Sequence, residues 1–224
     1  MSKLSIGQND VVKTSTKRRN LIFKVNPTYQ RQKFVVDYVA NHEGQAGIIY
    51  CSTRKQVEEL HEALNNEKIK STIYHAGLTN KERNEAQNDF LYDRVEVVIA
   101  TNAFGMGIDK SNVRYVIHYN MPGDLESYYQ EAGRAGRDGL KSECILLFSE
   151  RDKGLHEYFI TVSQADDDYK DKMGEKLTKM IQYTKTKKCL EATIVHYFEP
   201  NENLEECNQC SNCIQENKTY DMTR

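Results

Sequence analysis

Four short runs, 47–51 (GIIYC), 95–100 (VEVVIA), 113–119 (VRYVIHY) and 143–148 (ECILLF), are apolar on successive residues rather than on alternate ones. A strand with one wet face must alternate, whereas a strand covered on both faces need not, so these runs belong inside a sheet with helices above and below it. The segments between them supply the helices. In 54–67, Val57, Leu60, His61 and Leu64 recur at i, i+3, i+4 and i+7 and form one apolar stripe. Phe34, Val35, Tyr38 and Val39 share a similar face within 28–42, and 79–92 opens on a capping pattern, Thr79 three residues before Glu82. Strand and helix in alternation predict a parallel α/β sheet, whose ligands bind beyond the carboxyl ends of the strands.

The loops after these strands are therefore the places to look for chemistry. Ser52, Thr53 and Arg54 follow 47–51 and put two hydroxyls and a guanidinium at a helix start, a group able to hold a backbone phosphate, although an ordinary N-cap explains it equally well. His75-Ala76-Gly77-Leu78 follows 71–74; a lone histidine is more often structural. After 95–100 comes Thr101-Asn102-Ala103-Phe104-Gly105-Met106-Gly107-Ile108-Asp109-Lys110, where Gly105 and Gly107 permit a tight backbone path and Thr101 and Asp109 offer a donor and an acceptor. Residues 128–139 (YYQEAGRAGRDG) place Arg134 and Arg137 three apart, behind Gln130 and among Gly133, Gly136 and Gly139. Permanently charged forks at that spacing suit a polyphosphate, and the glycines let the backbone approach what the arginines touch.

The 224 residues have room for one large or two small domains with a proper core. A net charge of −2 gives no overall basic footprint, so any nucleic-acid surface must be local. No apolar run reaches membrane-spanning length and the first residues lack a signal-peptide core, which points to a reducing compartment and turns the six cysteines into a question of metal. Cys189, Cys207, Cys210 and Cys213 form C-x17-C-x2-C-x2-C, a spacing that lets four thiolates converge on one zinc; an iron–sulfur cluster also accepts four thiolates. Cys189 stands early in a helical pattern whose apolar face is Leu190, Ile194, Tyr197 and Phe198, near Lys187 and Lys188, which favour its thiolate. Cys51 and Cys144 belong to strand ends, buried and inert, and His196 does not match the array and reads as structural. Residues 151–185 read as helices, with 163–172 (SQADDDYKDK) an exposed loop between them; the basic run 185–189 could touch DNA phosphate, though a solvated face is the more frequent explanation.

Taken in order, these stretches resemble the second motor domain of superfamily 2 helicases: GIIYCSTR resembles motif IV, ATNAFGMGIDK motif V and QEAGRAGR motif VI. The strings IIYCSTR, YHAGL, AFGMGIDK and YYQEAGRAGRDGL, with the cysteine array, resemble the RecQ family of ATP-dependent DNA helicases over roughly residues 18–215. Small departures are Ala132, where the family often has a small hydroxyl residue, and Phe198-Glu199, where a glycine often intervenes. The resemblance implies a RecA-like parallel sheet with helices on both faces over 21–150, a helical zinc-binding domain over 151–224, and 1–20 as linker or tail of a first motor domain. It implies Arg137 as an arginine finger on the transferred γ-phosphate, Arg134 on the same phosphates linking hydrolysis to domain closure, and Gln130 orienting the site. Gly107 and Asp109 would meet the nucleotide, and Ser52, Arg54 and Thr101 would grip the backbone of one DNA strand.

The sequence contains no Gly-Lys and no Asp-Glu dipeptide, so the phosphate loop and the acidic pair for magnesium that a motor needs are expected in a first domain outside this sequence. The expectation is a fragment or truncated homologue, inactive by itself, that works in the intact protein with ATP, Mg2+ and structural zinc. It would act on single-stranded or forked DNA with 3′-to-5′ polarity, without a membrane, in the cytoplasm (nucleoid) of a bacterium or the nucleus of a eukaryote. Two other readings compete: a motor acting on RNA, disfavoured by the cysteine array, and a non-catalytic zinc-stabilised domain binding DNA or a partner protein. Against the last stands the argument that folding does not require two unpaired arginines at a cleft.

Overall fold

A computed structural model describes residues 17–105, 109–202 and 205–215. Its first part alternates strand and helix: β1 (Leu21–Pro27), α1 (Arg31–Ala40), β2 (Ala46–Tyr50), α2 (Arg54–Asn66), β3 (Ser71–Tyr74), α3 (Asn80–Leu91) and β4 (Val97–Ala100). There follow β5 (Val113–His118), α4 (Leu125–Ala132) and β6 (Ser142–Phe148), and then only helices, α5 (Glu150–Val162), α6 (Asp167–Lys185) and α7 (Leu190–Phe198). Among the described residues six strands form one sheet in the order β1-β6-β5-β2-β4-β3, with every pairing parallel. No described helix is long and apolar enough to cross a membrane.

The successive-apolar runs are the interior strands, and each side chain has a helix to meet. On one face, Ile49 of β2, Tyr115 and Ile117 of β5 and Ile145 and Leu147 of β6 pack against Val35 and Val39 of α1 and Val57, Leu60 and Leu64 of α2. On the other, Ile48 and Tyr50, Val116, and Cys144 and Leu146 pack against Phe90 of α3 and Tyr128 of α4. That second cluster also contains Leu177, Met180 and Tyr183 of α6 and Leu190 and Ile194 of α7, with Cys189, Cys210 and Cys213. The cysteine segment is thus laid on the sheet's own core, and its apolar residues are buried there. His61, which shares the α2 stripe, is only half-buried and bonds Ser71 Oγ at its rim.

Two elements depart from expectation. β1 is a strand at the edge of the sheet, with Leu21 and Phe23 buried and Ile22 between them half-buried. Its apolar run is only three residues long, Leu21, Ile22 and Phe23, before Lys24 interrupts it, shorter than the runs of the interior strands. The expected loop 163–172 is short, because α6 begins at Asp167: the Asp166 side chain accepts from the Tyr169 N–H at 2.8 Å, and Asp167 and Asp168 fill the first turn. Carboxylates there complement the positive end of the helix dipole, so a polar, acidic stretch becomes a helix start. The Thr79–Glu82 capping box is formed as the spacing predicts.

Candidate functional site

The sheet carries its polar loops at both ends. At the carboxyl ends, Ser52 follows β2 after Cys51, and its N–H donates to Asn120 Oδ1 at 3.0 Å. Thr53 caps α2 by accepting from the Gln56 N–H at 3.2 Å, so the helix N-terminus is fixed beside Ser52 and the exposed Arg54. Arg54 lies across Gly77, and the Gly77 N–H donates to Nδ1 of the buried His75 at 3.2 Å. The Thr101 N–H donates to the Tyr74 carbonyl at 3.1 Å, tying the loop after β4 to the end of β3. Ser52, Arg54 and Thr101 therefore stand along one edge, at the ends of β2 and β4.

The arginines lie elsewhere. α4 and the turn after it cross the sheet face: Glu131 meets Nε2 of His118, at the carboxyl end of β5, at 2.9 Å, and the Gly136 N–H donates to the carbonyl of Val113, at its amino end, at 2.8 Å. Arg134 is half-buried and donates to the Gly105 carbonyl, in the loop after β4, at 2.6 Å. Gly105 has φ +144°, and a Cβ there would collide with the Arg134 guanidinium, so this glycine makes the seat for the arginine. Beside it, burial pushes the Tyr50 phenol up, and the Arg134 charge offsets part of that rise. Arg137 is more exposed and pairs with Asp109 at 2.9 Å, an exposed carboxylate. Gln130 is exposed on the last turn of α4. Gly107 lies outside the described residues.

Arg134 reaches the loop after β4, whereas Arg137 follows Gly136, which is bonded to the amino end of β5. Two expectations change accordingly. Neither arginine is unpaired, since Arg134 holds a carbonyl and Arg137 a carboxylate. Gly136 serves the chain's own packing: with φ +56°, its Cβ would stand 2.5 Å from Asn20 Nδ2 and 2.7 Å from the Leu140 carbonyl oxygen. Arg18, Asn20, Asn120 and Asp152 belong to none of the motifs read from the sequence. Asn120 donates to Asp152 Oδ1 at 3.4 Å, and the buried Asp152 also accepts from Arg31 and from the Ser149 and Met121 N–H groups. The Asn120 and Arg31 pairings join residues far apart in the chain and leave no local spacing to read; only Ser149 and Asp152 are local, as a capping box.

Cys189, Cys207, Cys210 and Cys213 converge with their sulfurs all within 4.8 Å of one another. A tetrahedral zinc with bonds of about 2.3 Å asks for sulfurs about 3.8 Å apart, so the set fits. Cys189 is the N-cap of α7, not a residue within it, and its sulfur accepts from the Ala192 and Cys207 N–H groups at 3.5 and 3.3 Å. The Cys210 N–H donates to Cys207 sulfur at 3.3 Å, and the Leu190 N–H to Cys210 sulfur at 3.4 Å. Amide donors of this kind favour deprotonated sulfur, the form that binds metal. The hydrogen bond from the Cys189 thiol holds Cys210 well below the usual thiol range, against the cost of burial, and the same bond pushes Cys189 up. Cys51 and Cys144 lie in the two core clusters, and burial pushes both thiols up.

The model for the helicase conserved C-terminal domain matches residues 30–139, and the model for RecQ zinc-binding matches residues 150–214. The structure resembles that of S. cerevisiae Dbp5 bound to RNA and ADP BeF3, with a TM-score of 0.55 at 21% identity, over 77% of this chain and 48% of that one. Fold and family models together define the C-terminal motor region of a helicase, a RecA-like sheet followed by a helical segment with a structural zinc site. Among relatives, the ATP-dependent DNA helicase RecQ of Bacillus subtilis is 43% identical over 222 residues, and that of Pasteurella multocida is 38% identical over 205. The chain belongs to the RecQ family. The matches take in 99% and 91% of this chain but 37% and 31% of those two proteins.

Proposed function

We propose that this chain is the second motor domain and zinc-binding segment of an ATP-dependent 3′-to-5′ DNA helicase that couples hydrolysis to strand separation in recombination and repair. The observation that carries the reading is the arginine turn: Arg134 seated on the Gly105 carbonyl, and Arg137 held at the surface against the exposed Asp109. Exposed pairs of that kind are worth roughly 0.2–1 kcal/mol, so a polyphosphate can take the place of the carboxylate. In this reading Arg137 neutralises charge developing on the γ-phosphate, Arg134 contacts the same phosphates, and Gln130 orients the site. Asp109 meets the nucleotide, the role that the family resemblance also gives to Gly107.

The phosphate loop and the carboxylates for Mg2+ come from a first RecA-like domain, against which this turn closes. Ser52, Arg54 and Thr101 hold the backbone of one strand of single-stranded or forked DNA, a grip that carries no sequence information and suits translocation on any sequence. Zinc holds the cysteine segment on the sheet and takes no part in the chemistry. The protein would work where its DNA is, in the nucleoid of a bacterium or the nucleus of a eukaryote. The chain alone is expected to show no ATP hydrolysis, with or without single-stranded DNA. Appreciable DNA-stimulated turnover by the isolated chain would count against the reading, because it would require a complete nucleotide site within these residues.

A further inference from the structure

The turn that carries the arginines is held from outside by the segment that leads into β1. The Arg18 guanidinium donates to the carbonyls of Gly133 at 3.5 Å, Ala135 at 3.1 Å and Gly136 at 3.0 Å. The Asn20 amide donates to the Gly136 carbonyl at 2.8 Å and the Leu140 carbonyl at 3.0 Å. A helix leaves its last carbonyls without intrahelical partners and its C-terminus partly negative, so a cation with several donors suits the end of α4. Only arginine offers a planar fork of five N–H groups, which lets one side chain hold three acceptors. From the sheet side the same turn is tied by the Gly136 N–H to the Val113 carbonyl. The clamping segment is itself fastened, since Gln209, between Cys207 and Cys210, donates to the Arg19 carbonyl at 2.8 Å.

We propose that Arg18, with Asn20, is a positioning residue for Arg134 and Arg137: it touches neither nucleotide nor DNA, and it sets where the two guanidiniums stand. The inference rests on the assignment of that pair to the γ-phosphate. Groups that stabilise developing charge must be held to within about 0.5 Å, and a misplacement of about 1 Å costs on the order of 100-fold in rate.

In the intact protein, Arg18→Ala is expected to lower kcat for DNA-stimulated ATP hydrolysis roughly 10- to 100-fold. The KM for ATP, DNA affinity and zinc content should stay within about twofold, and Arg18→Lys should restore little of the rate. Combined with Arg137→Ala, Arg18→Ala should add almost nothing, because both act through one group. On this chain itself, hydrogen exchange of the amides of 134–139 should accelerate in Arg18→Ala while those of β2 and β4 do not change. A wild-type kcat in Arg18→Ala beside an inactive Arg137→Ala overturns the clamp and leaves the arginine assignment standing. Full activity in Arg137→Ala overturns the assignment, and the exchange rates then decide whether Arg18 holds the turn. A lower yield with normal kcat per zinc-loaded molecule makes Arg18 a folding residue only and also overturns the proposal. If Arg18→Ala does not fold, Asn20→Ala removes two of the bonds and is read in the same way.

Discussion

Arg137→Ala in the intact protein is expected to abolish ATP hydrolysis, with a loss of about 10³- to 10⁵-fold in kcat, while affinity for single-stranded DNA stays within about twofold. In free energy that is roughly 4–7 kcal/mol of transition-state stabilisation, the scale on which a guanidinium acts when it meets charge that develops only during phosphoryl transfer. The side chain is 37% exposed and its carboxylate partner, Asp109, is 88% exposed, so truncation removes little that folding depends on. DNA binding should survive for a geometric reason. The grip residues Ser52 and Thr101 follow the carboxyl ends of β2 and β4, whereas Arg137 lies just past Gly136, which is bonded to the amino end of β5. Arg137→Lys should recover only a small part of the rate, since an ammonium cannot fork onto two phosphate oxygens. The decisive comparison is single-turnover hydrolysis beside fluorescence anisotropy with a single-stranded oligonucleotide. Turnover at the wild-type rate would sink the finger assignment, and a parallel loss of DNA affinity would show that the two sites are not separable.

The separation of the two sites was the part of this chain that sequence reading could not reach. The interior strands were legible because burial on both faces forces successive apolar residues, as in Ile48 and Ile49 or Val97 to Ala100. β1 escaped because its apolar run, Leu21 to Phe23, is short and broken by Lys24, and with it went the segment just before it, Arg18 to Asn20. The cysteine array was legible because metal geometry dictates short spacings, and the four sulfurs do converge. Arg134 and Arg137 were found by their spacing, but their place was not. The rule that looks for ligands beyond the carboxyl ends of the strands points to loops that leave a strand, such as those of Ser52 and Thr101. The arginine turn is carried across the sheet by α4 instead, and what anchors it, Gly105 and Arg18, stands 29 or more residues away in the chain. Contacts of that range depend on the finished topology and have no local signature.

The second large effect is expected from Cys210→Ser. Structural zinc sites of this type contribute about 10–16 kcal/mol of apparent binding energy, which is available only to the folded arrangement of ligands. Removing one of four thiolates from a set whose members lie within 4.8 Å should lower zinc content from one ion per chain to almost none. The damage should not stay in the loop. Cys210 is fully buried in the same cluster as Tyr128 of α4 and Tyr183 of α6, so loosening it uncovers the sheet face that the arginine turn crosses. A net loss of about 3 kcal/mol, a fraction of the zinc energy, would lower the melting temperature of a chain this size by roughly 6–12 °C. Cys51→Ala provides the contrast: this thiol is buried in the cluster on the opposite face, so its variant should keep the full zinc content even if it loses some packing energy. Metal analysis and thermal unfolding of the two variants side by side separate ligand loss from the mere loss of a buried sulfur. A soluble, metal-free Cys210→Ser chain that melts like the wild type would remove zinc from the forces holding α7 to the sheet, and the apolar contacts of Leu190 and Ile194 would then have to hold it alone.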